Sequence, residues 1–358
     1  MSRGSALVLG CGVAGLTCAL LLHARGWRVD CSLRPAVPGP VVTLNQLTAS
    51  LLLELWEADE GLFEGAHQLL HRITRWEPAA PAYRPMPALA MPVNTLAERI
   101  AERAARAGLG FVAPGPADAA GYDWIVRAGG DAFSGEAVAF GQRRAITLSV
   151  KLARRAAADC AVIEAVPGGW LFVIPQGGGH GTLQAVSARP TMEPRNDLSA
   201  LLAQSRLGST LIEEIGDDMA VYPAMPRLAV APCVAGSIVV GDAAVAFDPL
   251  SGTGLGNGLR TAILAAAVLE AAGRGRTPDL YFDHYTCRLR DSMRDHVRSC
   301  IGFYRRVAYA ESWNAEVTAM DEALHRLPPG PDAPAFMLDR GRLKRVRTDA
   351  LLRLARGQ

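Results

Sequence analysis

Three glycines carry the first chemistry legible in this chain. Gly10-Cys-Gly-Val-Ala-Gly15 spells G-x-G-x-x-G. In that pattern Gly10 permits a tight turn, Gly12 lets the backbone approach a pyrophosphate, and Gly15 lets a helix pack against the strand before it. The amides of Val13, Ala14 and Gly15, at the start of that helix, then face the phosphates of a dinucleotide. An acidic residue at the end of the next strand would complete the site by accepting the adenosine ribose hydroxyls. That place holds Leu33 and Arg34, with Asp30 too early. Either the site takes no dinucleotide, or Arg34 or backbone groups hold the ribose or phosphate instead.

The motif needs a strand, a turn and a helix, and its flanks supply them. Ala6 to Leu9 reads as a short buried strand and Leu16 to Arg25 as a helix; Gly26 ends the helix, and Val29 to Arg34 is the second strand. The same apolar run, following Arg3, has the outline of a secretory signal or a membrane span. Gly10, Gly12 and Gly15 would weaken either, so the dinucleotide reading is preferred. Composition agrees: 358 residues, half of them apolar and a fifth charged, with a formal charge of +2, describe a soluble globular chain with no field that implies nucleic acid or a membrane as partner. Seven cysteines with no C-x-x-C pair, and no histidine cluster at ligand spacing, imply no metal site and a reducing, cytoplasmic location.

Gly236 to Leu259, G-S-I-V-V-G-D-A-A-V-A-F-D-P-L-S-G-T-G-L-G-N-G-L, is the most informative stretch. It resembles the second flavin fingerprint of the group A flavoprotein monooxygenase and halogenase superfamily. The match covers Asp242, Asp248, Pro249, Gly252, Thr253 and Gly254, ahead of a helix that is apolar from Leu255 to Leu269. The resemblance implies FAD as cofactor, with the Asp242 carboxylate on the ribityl chain. It sets Pro249, Gly252, Thr253, Gly254 and Leu255 at the isoalloxazine edge, where Thr253 would shape an oxygen or small-anion pocket. Gly169-Trp-Leu-Phe-Val-Ile-Pro175 is similar to the G-W-x-W-x-I-P signature of flavin-dependent halogenases, with Phe172 for the second Trp, and related strands occur in geranylgeranyl reductases. Trp170, Phe172 and Ile174 share one face of such a strand and, with Pro175, could wall a substrate tunnel; by periodicity alone an ordinary half-buried strand is the plainer outcome.

Two departures separate the chain from the tryptophan halogenases, whose pattern has a lysine in the amino-terminal half and a glutamate after D-P-L. Here the only lysines are Lys151 and Lys344, and Ser251 follows Leu250. The implied reaction is instead hydroxylation of an electron-rich aromatic group through a flavin C4a-hydroperoxide. Together with the Trp170 strand, Gly141-Gln-Arg-Arg144 is similar to the LodB and QhpG type of flavoprotein, which modifies a tryptophan of a partner protein while a quinone cofactor is built. A further Asp-Gly motif of the family is lost, because Gly129 stands where its Asp should be. Either a separate reductase supplies reduced flavin, or NADPH binds in another way, or the motif has drifted with no bearing on electron supply. His180, after Gln176-Gly-Gly-Gly, is the sequence candidate to accept the ring proton, a catalytic role weighed against that of a plain loop histidine. Arg143 and Arg144 either steer an acidic substrate or form a solvated pair. Two other classes stay open: a halogenase or geranylgeranyl-reductase-like oxidoreductase on the same scaffold, and a non-catalytic flavin-fold binding protein.

The expected architecture is α/β: a Rossmann-like, three-layer FAD-binding domain with an inserted β-sheet substrate domain and C-terminal helices. Residues 1–35, 91–135 and 221–275 form the first, 36–90 and 136–220 the second, and 276–358 the helical region. Leu44 to Glu57, Leu96 to Ala107 and Asp279 to Arg306 read as helices, and Ala137 to Ser187 as successive strands. Pro78 to Pro92 reads as a constrained loop, and Arg340 to Arg356 as a basic amphipathic helix.

Overall fold

The computed structural model describes residues 4–32, 39–113, 121–129, 136–154, 156–189, 191, 193–274, 277–329 and 336–345. Arg34, expected near the ribose, lies outside these residues. Ser5–Leu9 pairs in parallel with Arg28–Ser32 on one side and Trp124–Arg127 on the other. Gly110–Val112 and Ser237–Val239 extend the parallel array, and Cys233–Val234 closes one edge in antiparallel sense. Ala6, Leu7 and Val8 are all buried, the continuous apolar run that a parallel strand covered on both faces requires. Val13–His23 follows as the first helix, with helices Val93–Arg106 and Gly254–Ala272 packed against it. Among the described residues, Gly254–Ala272 is the helix long and apolar enough to cross a bilayer, and 61% of its most apolar window is buried inside the protein.

A nine-stranded sheet runs in the order 212–215, 144–152, 180–187, 169–177, 160–166, 67–75, 82–92 and 41–45, with 220–223 also paired to 144–152. Alternation along 169–177 divides its side chains between two cores. Trp170, Phe172 and Ile174 join the main core, which also holds Ala6 and Val8 of the first sheet; Leu171 and Val173 face a smaller core with Leu198 and Leu201 of the helix Pro194–Gln204. The helix Pro278–Arg305 is tied to the first sheet where the Tyr285 hydroxyl donates to the Val239 carbonyl at 2.6 Å.

Several expectations are corrected here. Ala82–Pro92 is a strand rather than a loop. The 41–45 strand pairs only with residues 88–92, so Pro85 and Pro87 fall where the strand has one neighbour, opposite a register shift, and a missing amide is tolerated. Met91, Pro92 and Val221–Pro223, expected with the dinucleotide-binding segments, pair within the nine-stranded sheet. Ala137–Ala139 leaves that sheet for a small one with Arg227–Ala229 and Val245–Ala246. The stretch 44–57 divides because Asn45 ends the strand 41–45 and caps the helix Gln46–Leu55, its Oδ1 accepting the Thr48 amide at 2.9 Å. Phe336–Asp339 and Arg342–Arg345 form a hairpin, anchored by Phe336 against Tyr281, so the expected terminal helix does not begin at Arg340.

Candidate active site

Three turns meet at the carboxyl ends of parallel strands, the edge at which open sheets bind ligands. A Cβ added to Gly10 would lie 3.0 Å from the Gly129 nitrogen, and one added to Gly15 would lie 2.0 Å from the Gly10 carbonyl oxygen and 2.7 Å from Ala128 Cβ. One added to Gly241 would lie 3.0 Å from Ala14 Cβ. The two glycine motifs, more than 200 residues apart in sequence, therefore touch through Ala14. Thr261 fixes the second turn by accepting the Gly241 amide at 2.7 Å. Gly12, Gly252 and Gly254 contrast with these, because a Cβ on any of them meets nothing within 4 Å. They border open space. Neither Val13–His23 nor Gly254–Ala272 has a side-chain cap or an acidic residue in its first turn, so their leading amides remain available to an anion or a polar ring edge.

Asp242 opens to solvent in this recess, yet protein crowds it closely: burial raises its carboxyl pKa, and Arg227 draws it partly back. A carboxylate so placed can accept hydroxyls of a polyol chain. At the end of Arg28–Ser32 the Cys11 thiol donates to the Ser32 carbonyl at 3.1 Å, and the Asp30 carboxylate accepts the Tyr122 hydroxyl at 2.7 Å. Asp30 is thus engaged elsewhere, as its early position anticipates.

The turn from Asp248 to Thr253 is held by buried charge. Asp248 Oδ1 accepts the Leu250 amide at 2.8 Å, while Oδ2 accepts Arg143 Nε at 2.9 Å and the Tyr304 hydroxyl at 3.0 Å. Arg143, fully buried, donates from Nη1 to Glu316 at 2.7 Å. Glu316 also accepts the Gln142 and Arg143 amides at 2.9 and 3.0 Å. Burial works against the Arg143 charge, but Asp248, Tyr304 and Glu316 outweigh it and raise the guanidinium pKa. Gly141, at φ +99°, admits the carboxylate: a Cβ there would lie 2.2 Å from Glu316 Oε1. Both sequence readings of Arg143 are thereby corrected. It is neither solvated nor free for substrate, and only Arg144, half-buried at a strand start, keeps some exposure.

Against this turn lies a cavity of about 540 Å³ lined by Trp76, Ile163, Leu250, Ser251, His296 and Phe303, with Arg72, Arg84 and Glu77 among its polar residues. His296, overlooked in the sequence, is central. Its Nε2 accepts the Asp248 backbone amide at 2.8 Å, and its ring stacks on Phe247 at 4.0 Å with planes 7° apart. Burial pushes its pKa down to about 4, with Asp248 opposing and Arg143 assisting, so the ring is neutral at pH 7 and the proton sits on Nδ1. The only advance signal was a histidine within an otherwise arginine-rich helix pattern.

Of the anticipated wall, Trp170, Phe172 and Pro175 do not line the cavity. Trp170 is a layer behind it: fully buried, donating from Nε1 to the Tyr304 hydroxyl at 3.1 Å and meeting Trp76 edge-on at 6.5 Å. Phe172 pairs across from Ile163, which does reach the cavity. Thr253 is close, its hydroxyl 2.9 Å from that of the cavity-lining Ser251. His180 is not brought to the site. It is exposed, opens the strand His180–Ser187 opposite Lys151, and stands seven residues along the ladder from Arg144, roughly 23 Å at the usual strand rise.

No protein-family model and no curated protein matches the chain. Solved structures do. The peptidyl tryptophan dihydroxylase QhpG, essential for tryptophylquinone cofactor biogenesis, aligns over 96% of this chain and 86% of its own at 19% identity and a TM-score of 0.75. The myxobacterial chondrochloren halogenase CndH aligns over 99% and 90% at 18% identity and a TM-score of 0.75. The flavin-dependent halogenase CmlS covers 100% of this chain and 70% of its own at 19% identity, with a TM-score of 0.73. The chain shares the fold of these proteins. At these identities the likeness concerns architecture, so the chemistry rests on the residues above.

Proposed function

We propose that this chain is an FAD-dependent monooxygenase that hydroxylates an electron-rich aromatic group, the indole of a tryptophan carried by a partner protein. The observation that carries the reading is the cavity of about 540 Å³, walled by Trp76, Phe303, Ile163 and Leu250, set against the Leu250–Ser251 turn beside the open glycines. Its size is ordinary for a small-ligand pocket. FAD fits the recess: the amides of Val13, Ala14 and Gly15 beside Gly12 would hold the pyrophosphate, Asp242 the ribityl hydroxyls, and the amides of Gly254 and Leu255 the ring edge, those of Gly252 and Thr253 being spent within the turn on the Pro249 carbonyl and the Ser251 hydroxyl. Bound there, the cofactor would supply the activation of dioxygen.

The remaining tasks belong to this chain. Trp76, Phe303 and Ile163 hold the substrate ring and exclude water. His296 acts as a positioning residue, because its acceptor nitrogen is committed to the Asp248 amide. Among the described residues lining the cavity, Glu77 is then the carboxylate left to take the proton from the hydroxylated carbon. Chlorination finds less support. Lys151 pairs with Glu213 and Glu214, Lys344 with Asp339, and neither lines the cavity. With Gly129 in place of the family's Asp, a separate reductase is the proposed electron source.

The test is direct. The purified protein should carry or take up FAD, visible by absorbance, and after chemical reduction should be reoxidised by oxygen while a tryptophan-containing peptide gains the mass of oxygen. Mass gain that requires halide would replace this reading with a halogenase; a colourless protein that refuses added FAD would replace it with a non-catalytic binding protein.

A further inference from the structure

Between residues 288 and 306 stand six arginines against two aspartates, in a chain whose whole formal charge is +2. Part of this excess lines a second hollow of about 430 Å³, formed by Arg294, Arg298 and Arg305 with Ile301 and Leu324 from the helices Pro278–Arg305 and Asn314–Arg326. Its one carboxylate among the described residues, Asp321, is 3.7 Å from His325 Nδ1, and Arg294 is paired with Asp291 at 3.0 Å. Arg298 and Arg305 are exposed and have no carboxylate partner among the described residues. An apolar floor under unpaired guanidinium groups suits a peptide carboxylate with a neighbouring apolar side chain.

Position on the helix adds a dimension. At about 100° per residue, Arg294, Arg298, Ile301 and Arg305 share one flank, whereas His296, Ser299, Cys300 and Phe303, which line the aromatic cavity, share the opposite flank. An extended chain passing from one to the other crosses over Gly302. A helix is about 10–12 Å across and an extended residue spans about 3.3 Å, so the crossing takes about three to four residues.

We propose that the arginine groove binds an acidic stretch of a partner protein, which crosses the helix at Gly302 and delivers into the cavity an aromatic side chain about three to four residues away. The delivery half rests on the hydroxylase reading; the groove half does not. The holoprotein should bind a fluorescein-labelled peptide carrying an Asp/Glu triplet and a tryptophan four positions on, with affinity falling as salt rises. Arg298→Glu with Arg305→Glu should weaken binding by at least about tenfold while leaving the flavin spectrum and the reoxidation rate unchanged. Equal binding of the Asn/Gln version of the peptide, or undiminished binding by the double variant, would overturn the groove. Displacement of the peptide by low-millimolar inorganic phosphate would also overturn it, reassigning the hollow to small anions. Moving the tryptophan next to the acidic triplet should preserve binding and lower oxygen incorporation; equal incorporation would overturn the delivery path. Binding without oxygen transfer to any peptide would uphold the groove and count against the hydroxylase reading alone.

Discussion

The glycine turn at Gly10 and the turn at Asp248 perform related backbone work and are held by opposite means. The first is held by the absence of side chains: Gly15 and Gly241 let Gly10, Ala128 and Ala14 come together with no charge involved. The second is held by side chains buried at high electrostatic stakes, with Arg143 between Asp248 and Glu316, Tyr304 on the Asp248 carboxylate, and His296 on the Asp248 amide. A turn made of close packing is rigid but indifferent to pH. A turn made of ion pairs is sensitive to every partner, because a buried charge that loses its counterion cannot recover its hydration.

That contrast can be broken experimentally. Arg143→Met should cost about 3–5 kcal/mol, since it leaves Asp248 and Glu316 buried without a cation; denaturant titration checks this, and a loss below about 1 kcal/mol would mean the network is ornamental. Acid should act next. The folded-state pKa of His296, about 4, lies below the ordinary histidine value near 6.5, so the unfolded chain takes up that proton first as pH falls. Stability present above about pH 6.5 should therefore be lost toward pH 4, by about 3 kcal/mol in all, and His296→Gln should flatten that part of the profile. A wild-type thermal midpoint that does not move between pH 6.5 and 4 would contradict a neutral, turn-holding His296.

The packed turn sharpens the comparison from the other side. Gly15→Ala forces a Cβ onto the Gly10 carbonyl, for which about 1–3 kcal/mol is expected with no new pH dependence, together with loss of bound flavin. The smallest effect on stability belongs to Gly254→Leu. Its surroundings are open, so folding should stay within about 0.5 kcal/mol of wild type while flavin-dependent turnover disappears. Full turnover in that variant would remove the ring edge from this turn.

Much of the first turn was legible because its requirements are contiguous. The expected strand, turn and helix correspond to Ser5–Leu9 and Val13–His23 within a residue or three, and the apolar run after Gly254 is the buried helix anticipated. The aromatic strand alternates between two cores but is buried on both faces rather than half-buried, and the cavity is met by its neighbours: Trp76 and Ile163 came forward, and Trp170 became their support. His180 looked chemical because of its glycines and proved to sit at the far end of its strand. His296 looked like one polar residue on a charged helix, since nothing in its own segment reports that Asp248 will lie against it.

What the sequence alone determined is where the backbone must be bare: glycines at 10, 12 and 15 and again at 252 and 254, each beside a helix start, because steric freedom and exposed amides are properties of a few adjacent residues. Only the tertiary structure decided which charges are spent inside the protein. Arg143 meets Asp248 across 105 positions and Glu316 across 173, and a side chain's charge has no meaning for function until folding fixes whether water or a carboxylate answers it.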